Sequence, residues 1–411
     1  MTTLLPTNQP QKNKSNSPIF HRPEIELLLC CSRSRINAVT AEKIQQLSAQ
    51  ELDWDYLLRI AAGNEIIPLL YQNLKLICPK AVPENIMKQL QQCFQANASR
   101  NMFLTTELLK LLDLFAAHNI SVIPFKGPVL GRFAYGSFVL RTISDLDILV
   151  KKQDFLRAKE LLIRHGYQHK YFGEHEAAYV QAQLIRDDGL VGVDLHYGIT
   201  PRDFLFTLDT EPFWEHLSSL SLAGKTVPNL SVTDALLVAC VQPIKENWRS
   251  FKRICDIAEL CRVCTEKDWQ VFSEKIDKLG DERVFLVSLI MAHHLLEVSL
   301  PNELSEKFRV LSSLESTTLE MSKQFFCETP NDSDLSINWA KIQLLRTSLY
   351  DNQNVIKYLA FVAFNINEKD RLILPFPLPK YLNFLYYPLR LFRLLLTYKI
   401  GLKEIIKLPK L

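Results

Sequence analysis

Glycine is scarce in this chain and crowded into one stretch. Of twelve glycines in 411 residues, eight (Gly127, Gly131, Gly136, Gly166, Gly173, Gly189, Gly192 and Gly198) fall between positions 127 and 198. The total is under half the usual share of about 7%, which disfavours turn-dense all-β folds and collagen-like repeats. The crowding marks where the backbone must turn tightly or approach something closely.

The hydrophobic period changes at the same place. From about residue 22 to 118, apolar residues recur at three and four: Leu57, Ile60, Ala61, Ile67 and Leu70, then Leu104, Leu108, Leu109, Leu112 and Phe115. Pro68, Pro79 and Pro83 punctuate these helices. Ser121 to Phe125 then reads as a short strand, and Asp145 to Val150 as another. Residues 154–165 make an amphipathic helix that Gly166 stops. Tyr179 to Arg186 and Leu190 to His196 read as two strands. Asp187-Asp188-Gly189 lies between them and suits a hairpin turn, because Asp-Gly tolerates positive φ. Helical spacing returns from about 231 to 365.

The expected fold is therefore α+β, a small mixed β-sheet embedded in N- and C-terminal helical regions. The expected parts are a disordered leader (1–20), a helical region (21–118), the α+β core (119–230), a second helical region (231–370) and a basic apolar tail helix (371–411). The leader lacks the apolar core of a signal peptide. Nine cysteines are then expected to stay reduced, and the protein to be cytoplasmic. Cys261 and Cys264 have a zinc-like spacing with no second pair to complete it, and His293-His294 sits in an apolar helical pattern; all four read as packing residues.

Two short motifs on opposite sides of the hairpin carry the chemistry. In Arg141-Thr-Ile-Ser144-Asp145-Leu-Asp147-Ile-Leu-Val150, the acids at i and i+2 share one face of a strand while Leu146, Ile148 and Val150 share the other. Adjacent carboxylates repel unless a cation lies between them, and Mg²⁺ with oxygen ligands is the usual solution. In Val191-Gly-Val-Asp194-Leu-His196, one acid again stands in apolar company, on a face with Gly192 and His196. A shared metal would satisfy it; so would a salt bridge to a neighbouring base. Upstream, Phe125-Lys126-Gly127-Pro128 ends one strand and opens a short helix. Its free N–H groups and dipole favour a phosphate, and Lys126 adds a mobile positive charge.

Lys126-Gly127, Arg141-x-x-Ser144-Asp145-x-Asp147-x-Leu149-Val150 and Val193-Asp194-Leu195-His196 together resemble the bacterial nucleotidyltransferase-like family of the DNA polymerase β superfamily. Trp54, Leu57, Ala61 and Ile67-Pro68-Leu69-Leu70-Tyr71 are similar to that family's helical start. Lys245-x-x-Trp248-x-x-Phe251-Lys252-x-Ile254-x-Asp256-Ile257 is similar to a helical motif after the core. The superfamily usually has Gly-Ser before the acids; this chain has Lys126-Gly127 there.

The resemblance implies transfer of a nucleoside monophosphate from a nucleoside triphosphate (NTP) to an acceptor, with a two-metal Mg²⁺ site on Asp145, Asp147 and Asp194. Lys126 and Gly127 would bind phosphates. Arg141 and Ser144 would orient the acids or touch phosphate, with Arg141 equally suited to a structural strut. Lys245, Trp248 and Lys252 are expected on one helical face, as an acceptor wall or as a solvated helix with Trp248 in the core. His196 is expected beside Asp194 or in the core. The other reading of the chain is a non-catalytic nucleotide-binding or scaffold protein.

The net charge of +3 divides unevenly. Residues 371–411 hold eight bases (Arg371, Lys380, Arg390, Arg393, Lys399, Lys403, Lys407, Lys410) and one acid, Glu404, giving +7 and leaving −4 on the rest. No nucleic-acid partner is expected, since the body has no basic patch. The tail is expected either to close onto the body or to lie in an anionic membrane surface, peripheral at the inner face.

Overall fold

Side-chain caps and proline fix where the N-terminal helices begin. In a computed structural model, residues 22–170, 180–200, 207–246, 248–279, 282–310, 318–319, 322–326, 374, 378 and 380–398 are described. The leader, Tyr179, most of 327–379 and the tail beyond 398 lie outside them. Helix α1 spans Pro23–Cys31, α2 Ala38–Ser48, α3 Trp54–Gly63, α4 Ile67–Ile77 and α5 Glu84–Ala117. Asn37 caps α2 by accepting from the Thr40 N–H, and Asp53 caps α3 by accepting from Tyr56. Helix α5 runs for 34 residues, much further than the apolar spacing at 104–115 marks.

The α+β segment follows as β1 (Val122–Pro124), α6 (Gly127–Ala134), β2 (Leu146–Val150), α7 (Phe155–Arg164), β3 (Tyr167–His169), β4 (Gln181–Arg186) and β5 (Gly192–His196). The sheet order is β1-β2-β5-β4-β3. Strands β2 and β5 are parallel, and the other neighbours are antiparallel, so the sheet is mixed. Gly189, at φ +72, makes the turn between β4 and β5. The short β3 was not marked by the sequence. Neither was a separate hairpin, β6 (Ser218–Leu222) with β7 (Lys225–Asn229), whose turn residues Ala223 and Gly224 both have positive φ. An alanine at positive φ gives little local warning of such a turn.

Helices α8 (Val232–Lys245), α9 (Lys252–Val263), α10 (Glu266–Leu279), α11 (Glu282–Leu296) and α12 (Asn302–Val310) come next, and α13 (Tyr386–Tyr398) lies in the tail. Two apolar cores sandwich the sheet. One face, with Leu146, Ile148, Val150, Val193, Leu195 and Leu184, packs on Leu104, Leu108 and Phe115 of α5 and on Ala158 and Leu162 of α7. The larger core joins α1–α4 to α8–α11 and reaches the sheet through Ile123, Phe125 and Leu149. Among the described residues, no helix is long and apolar enough to cross a membrane.

Candidate active site

Strand alternation sends the apolar residues of β2 and β5 into the α5–α7 core and leaves their acids on the other face. The parallel register then sets Asp147 opposite Asp194. On the far side, β4 sets Gln183 opposite Asp194, and the Gln183 amide donates to Asp194 Oδ2 at 3.1 Å. Ligand atoms of Asp147, Asp194 and His196 lie within 4.8 Å of one another. Asp145 stands just before β2, half-buried, and accepts from the Ser144 hydroxyl at 2.9 Å.

Gly127 opens α6 at φ +55, and a Cβ there would meet the Asp145 carbonyl at 3.4 Å. The positive φ favours glycine here, while the Cβ contact would be an ordinary one. The turn delivers Lys126, whose Nζ donates to Asp147 Oδ1 at 2.9 Å. His196 Nε2 reaches the same oxygen at 3.2 Å, and the ring packs edge-on to Phe125.

The charges follow from this packing. Burial pushes the Asp147 carboxyl up, but Lys126 and His196 outweigh it and hold it well below the usual range. Asp194 goes the other way, up to about 6, through burial and the negative charges of Asp147 and Asp145. Burial takes His196 down to about 4 despite its bond to Asp147. A neutral His196 donating to Asp147 carries its proton on Nε2, and its Nδ1 is buried without a partner.

The remaining predicted residues are distributed differently. The Arg141 guanidinium is buried in a two-bond pair with Asp256 on α9, Nε to Oδ1 at 2.8 Å and an Nη to Oδ2 at 2.9 Å. The Tyr135 hydroxyl also donates to Asp256, at 2.7 Å. The shared helical face of Lys245, Trp248 and Lys252 does not exist. Helix α8 ends at Lys245, Trp248 sits at φ +49 in the connection, and Lys252 opens α9. Trp248 is fully buried in the larger core. Lys252 pairs with Glu65 at 2.6 Å and donates to the Thr142 carbonyl. Only Lys245 of the three faces the acids. Its Nζ donates to the Ile199 carbonyl at 2.6 Å, and burial together with Lys126 lowers it to about 8.

Asp256 is the important residue whose role sequence reasoning missed. Its signal was an acid between Cys255 and Ile257 in an apolar helix, a position that demands a buried cation.

The fold and these acids define a class of carboxylate-lined site on a mixed sheet. A family model described as "Uncharacterised nucleotidyltransferase" matches residues 50–297, more than half of the chain, and the chain belongs to that family. Among solved structures, it is similar to an antigenic nucleotidyltransferase-like protein from Paracoccidioides brasiliensis. The identity is 15% over 45% of this chain and 91% of that one, with a TM-score of 0.26. No curated protein matches.

Asp194 and His196 give opposing pH signatures in the metal-free protein. The folded Asp194 value lies above its ordinary 3.8, so lowering the pH from 6 to 4 protonates the native state first and adds stability. The folded His196 value lies below its ordinary 6.5, so over nearly the same window the unfolded chain protonates first and stability is lost. Each effect is on the order of 2 kcal/mol, and the two largely cancel. Urea denaturation at pH 4.5 and 7 should show this relative to wild type. Asp194→Asn should lose stability on acidification and His196→Gln should gain it. The same pH response in both variants would contradict the assignment.

Proposed function

We propose that the protein is a Mg²⁺-dependent nucleotidyltransferase that moves a nucleoside monophosphate from an NTP to a hydroxyl or similar acceptor. The observation that carries this reading is the register of Asp147 against Asp194 beside the Lys126-Gly127 turn, within the family match. The residues fit a metal. Asp194 is raised to about 6 by burial and then by the two neighbouring carboxylates Asp147 and Asp145, so the cluster would gain from added positive charge. Asp145, Asp147 and Asp194 would hold the metal, with His196, whose ring nitrogen lies in the same cluster, bonded to Asp147. When bound, the metal ions would supply charge neutralisation on the phosphates and activation of the acceptor oxygen.

The chain's own groups account for the rest. Lys126 already lies at the acids, paired with Asp147, and its long stem suits it to reach the β- and γ-phosphates. The N–H groups at the start of α6 offer a second phosphate contact. Asp194, on the acceptor side of the metal, would take the acceptor's proton. Lys245 adds positive charge on the side of α8 and leans towards an acceptor carrying negative charge.

Calorimetry with ATP, GTP, CTP and UTP, each with and without Mg²⁺, tests the reading. Triphosphate binding that requires the metal is expected for at least one of the four. Binding indifferent to Mg²⁺ would favour the non-catalytic alternative.

A further inference from the structure

The tail helix presents its surface in an inverted way. The residues that a water-facing helix would turn outwards are turned in: Arg390 is 6% exposed and Tyr386 is 3% exposed. The opposite arc is apolar and open. Phe384 and Phe392 are each 59% exposed, and Leu385, Tyr387, Pro388 and Leu391 are also exposed. Phe384 lies in a short 3₁₀ segment, Lys380–Leu385, that runs directly into α13. At helical spacing, positions 384, 387, 388 and 391 form one stripe, and 392 widens it. The helix is therefore covered along the edge of Tyr386 and Arg390 and offers an aromatic and aliphatic strip on the opposite side.

Three observations select the occupant of that strip. Residues 371–411 carry eight bases and one acid, against a body at −4. A second copy would bring two segments of +7 together, so self-association through this strip is opposed by charge. No described helix can span a bilayer, so insertion across one is not available to α13. Exposed aromatics combined with a strong local positive charge match one environment, the headgroup and upper acyl region of an anionic bilayer. We infer that α13 docks the protein on an anionic membrane surface with Phe384, Leu391 and Phe392 immersed. The inference does not depend on the proposed reaction, because none of these residues belongs to the candidate active site.

Vesicle flotation of the full chain tests it, using phosphatidylcholine alone and phosphatidylcholine with about one third phosphatidylglycerol. The protein should float with the anionic vesicles and remain below with the neutral ones. Binding should weaken as salt rises from about 0.05 M to about 0.5 M. A Phe384→Glu/Leu391→Glu/Phe392→Glu variant should lose at least about tenfold in partitioning. These positions are exposed, so its circular dichroism and its nucleotide binding should match wild type. No flotation of the wild type with anionic vesicles would overturn the inference, as would equal flotation of the variant. Light scattering that shows a dimer abolished by the triple substitution, without vesicle binding, would assign the strip to a second copy instead.

Discussion

Asp147→Asn is expected to lower nucleotidyl transfer by about 10²–10³-fold or more. The carboxylate is the meeting point of the site. Lys126 and His196 both bond its Oδ1, and its register partner is Asp194. Asparagine keeps the shape and an acceptor oxygen but removes the charge that a divalent ion needs. It also leaves Lys126 buried against a neutral group, so some stability is lost as well. Asp145→Asn separates the two effects, because Asp145 is half-buried and bonded only to the Ser144 hydroxyl among the described contacts. The measurement is transfer of label from α-³²P-NTP into acceptors of a cell extract, with pyrophosphate release alongside. Wild-type rates in a folded Asp145→Asn or Asp147→Asn protein would remove the basis of the proposed function.

Asp256→Ala carries the largest expected effect on stability. Removing this carboxylate strands the Arg141 guanidinium, which is fully enclosed, and leaves the Tyr135 hydroxyl without its acceptor. Burial alone would push Asp256 up; Arg141 and the nearby Arg253 and Lys252 bring it below the ordinary carboxylate range. Breaking one side of such a pair costs about 3–5 kcal/mol. Replacing both sides, as Arg141→Met/Asp256→Leu, should recover much of that loss, because the desolvation penalty disappears with the charges. Equilibrium urea denaturation of the two single variants and the double variant forms the required cycle. Additive losses would show that Arg141 and Asp256 are not coupled.

Periodicity and glycine carried the local part of this architecture. Alternation in Leu146-Asp147-Ile148 and Val193-Asp194-Leu195 separated the buried face from the acidic one, and the structure has the same separation. Gly127 and Gly189 marked turns that do have positive φ. Strand order was not legible, because the Asp147–Asp194 register joins residues separated by a helix and two strands. The helical face drawn through Lys245, Trp248 and Lys252 failed for a local reason. Their spacing is helical, but Trp248 takes φ +49 to reach the core, and that break divides α8 from α9. His196 could be placed on the acidic face by alternation alone. Its bond to Asp147 rather than Asp194 depends on the stagger of two strands.

The larger core also constrains the order in which the protein can assemble. Its first helices close against its last ones: the Ser34 N–H bonds Glu259, Arg33 pairs with Glu297 and the Tyr56 hydroxyl reaches the Phe326 carbonyl. Sequence separations of this size slow folding, since distant segments must meet before the contacts reward them. On a ribosome, α1–α4 emerge long before their partners and keep an apolar face open meanwhile. The sheet, whose α5–α7 core lies within a shorter span, can form first. The helical frame is then completed around it only when the residues near 300 have been made.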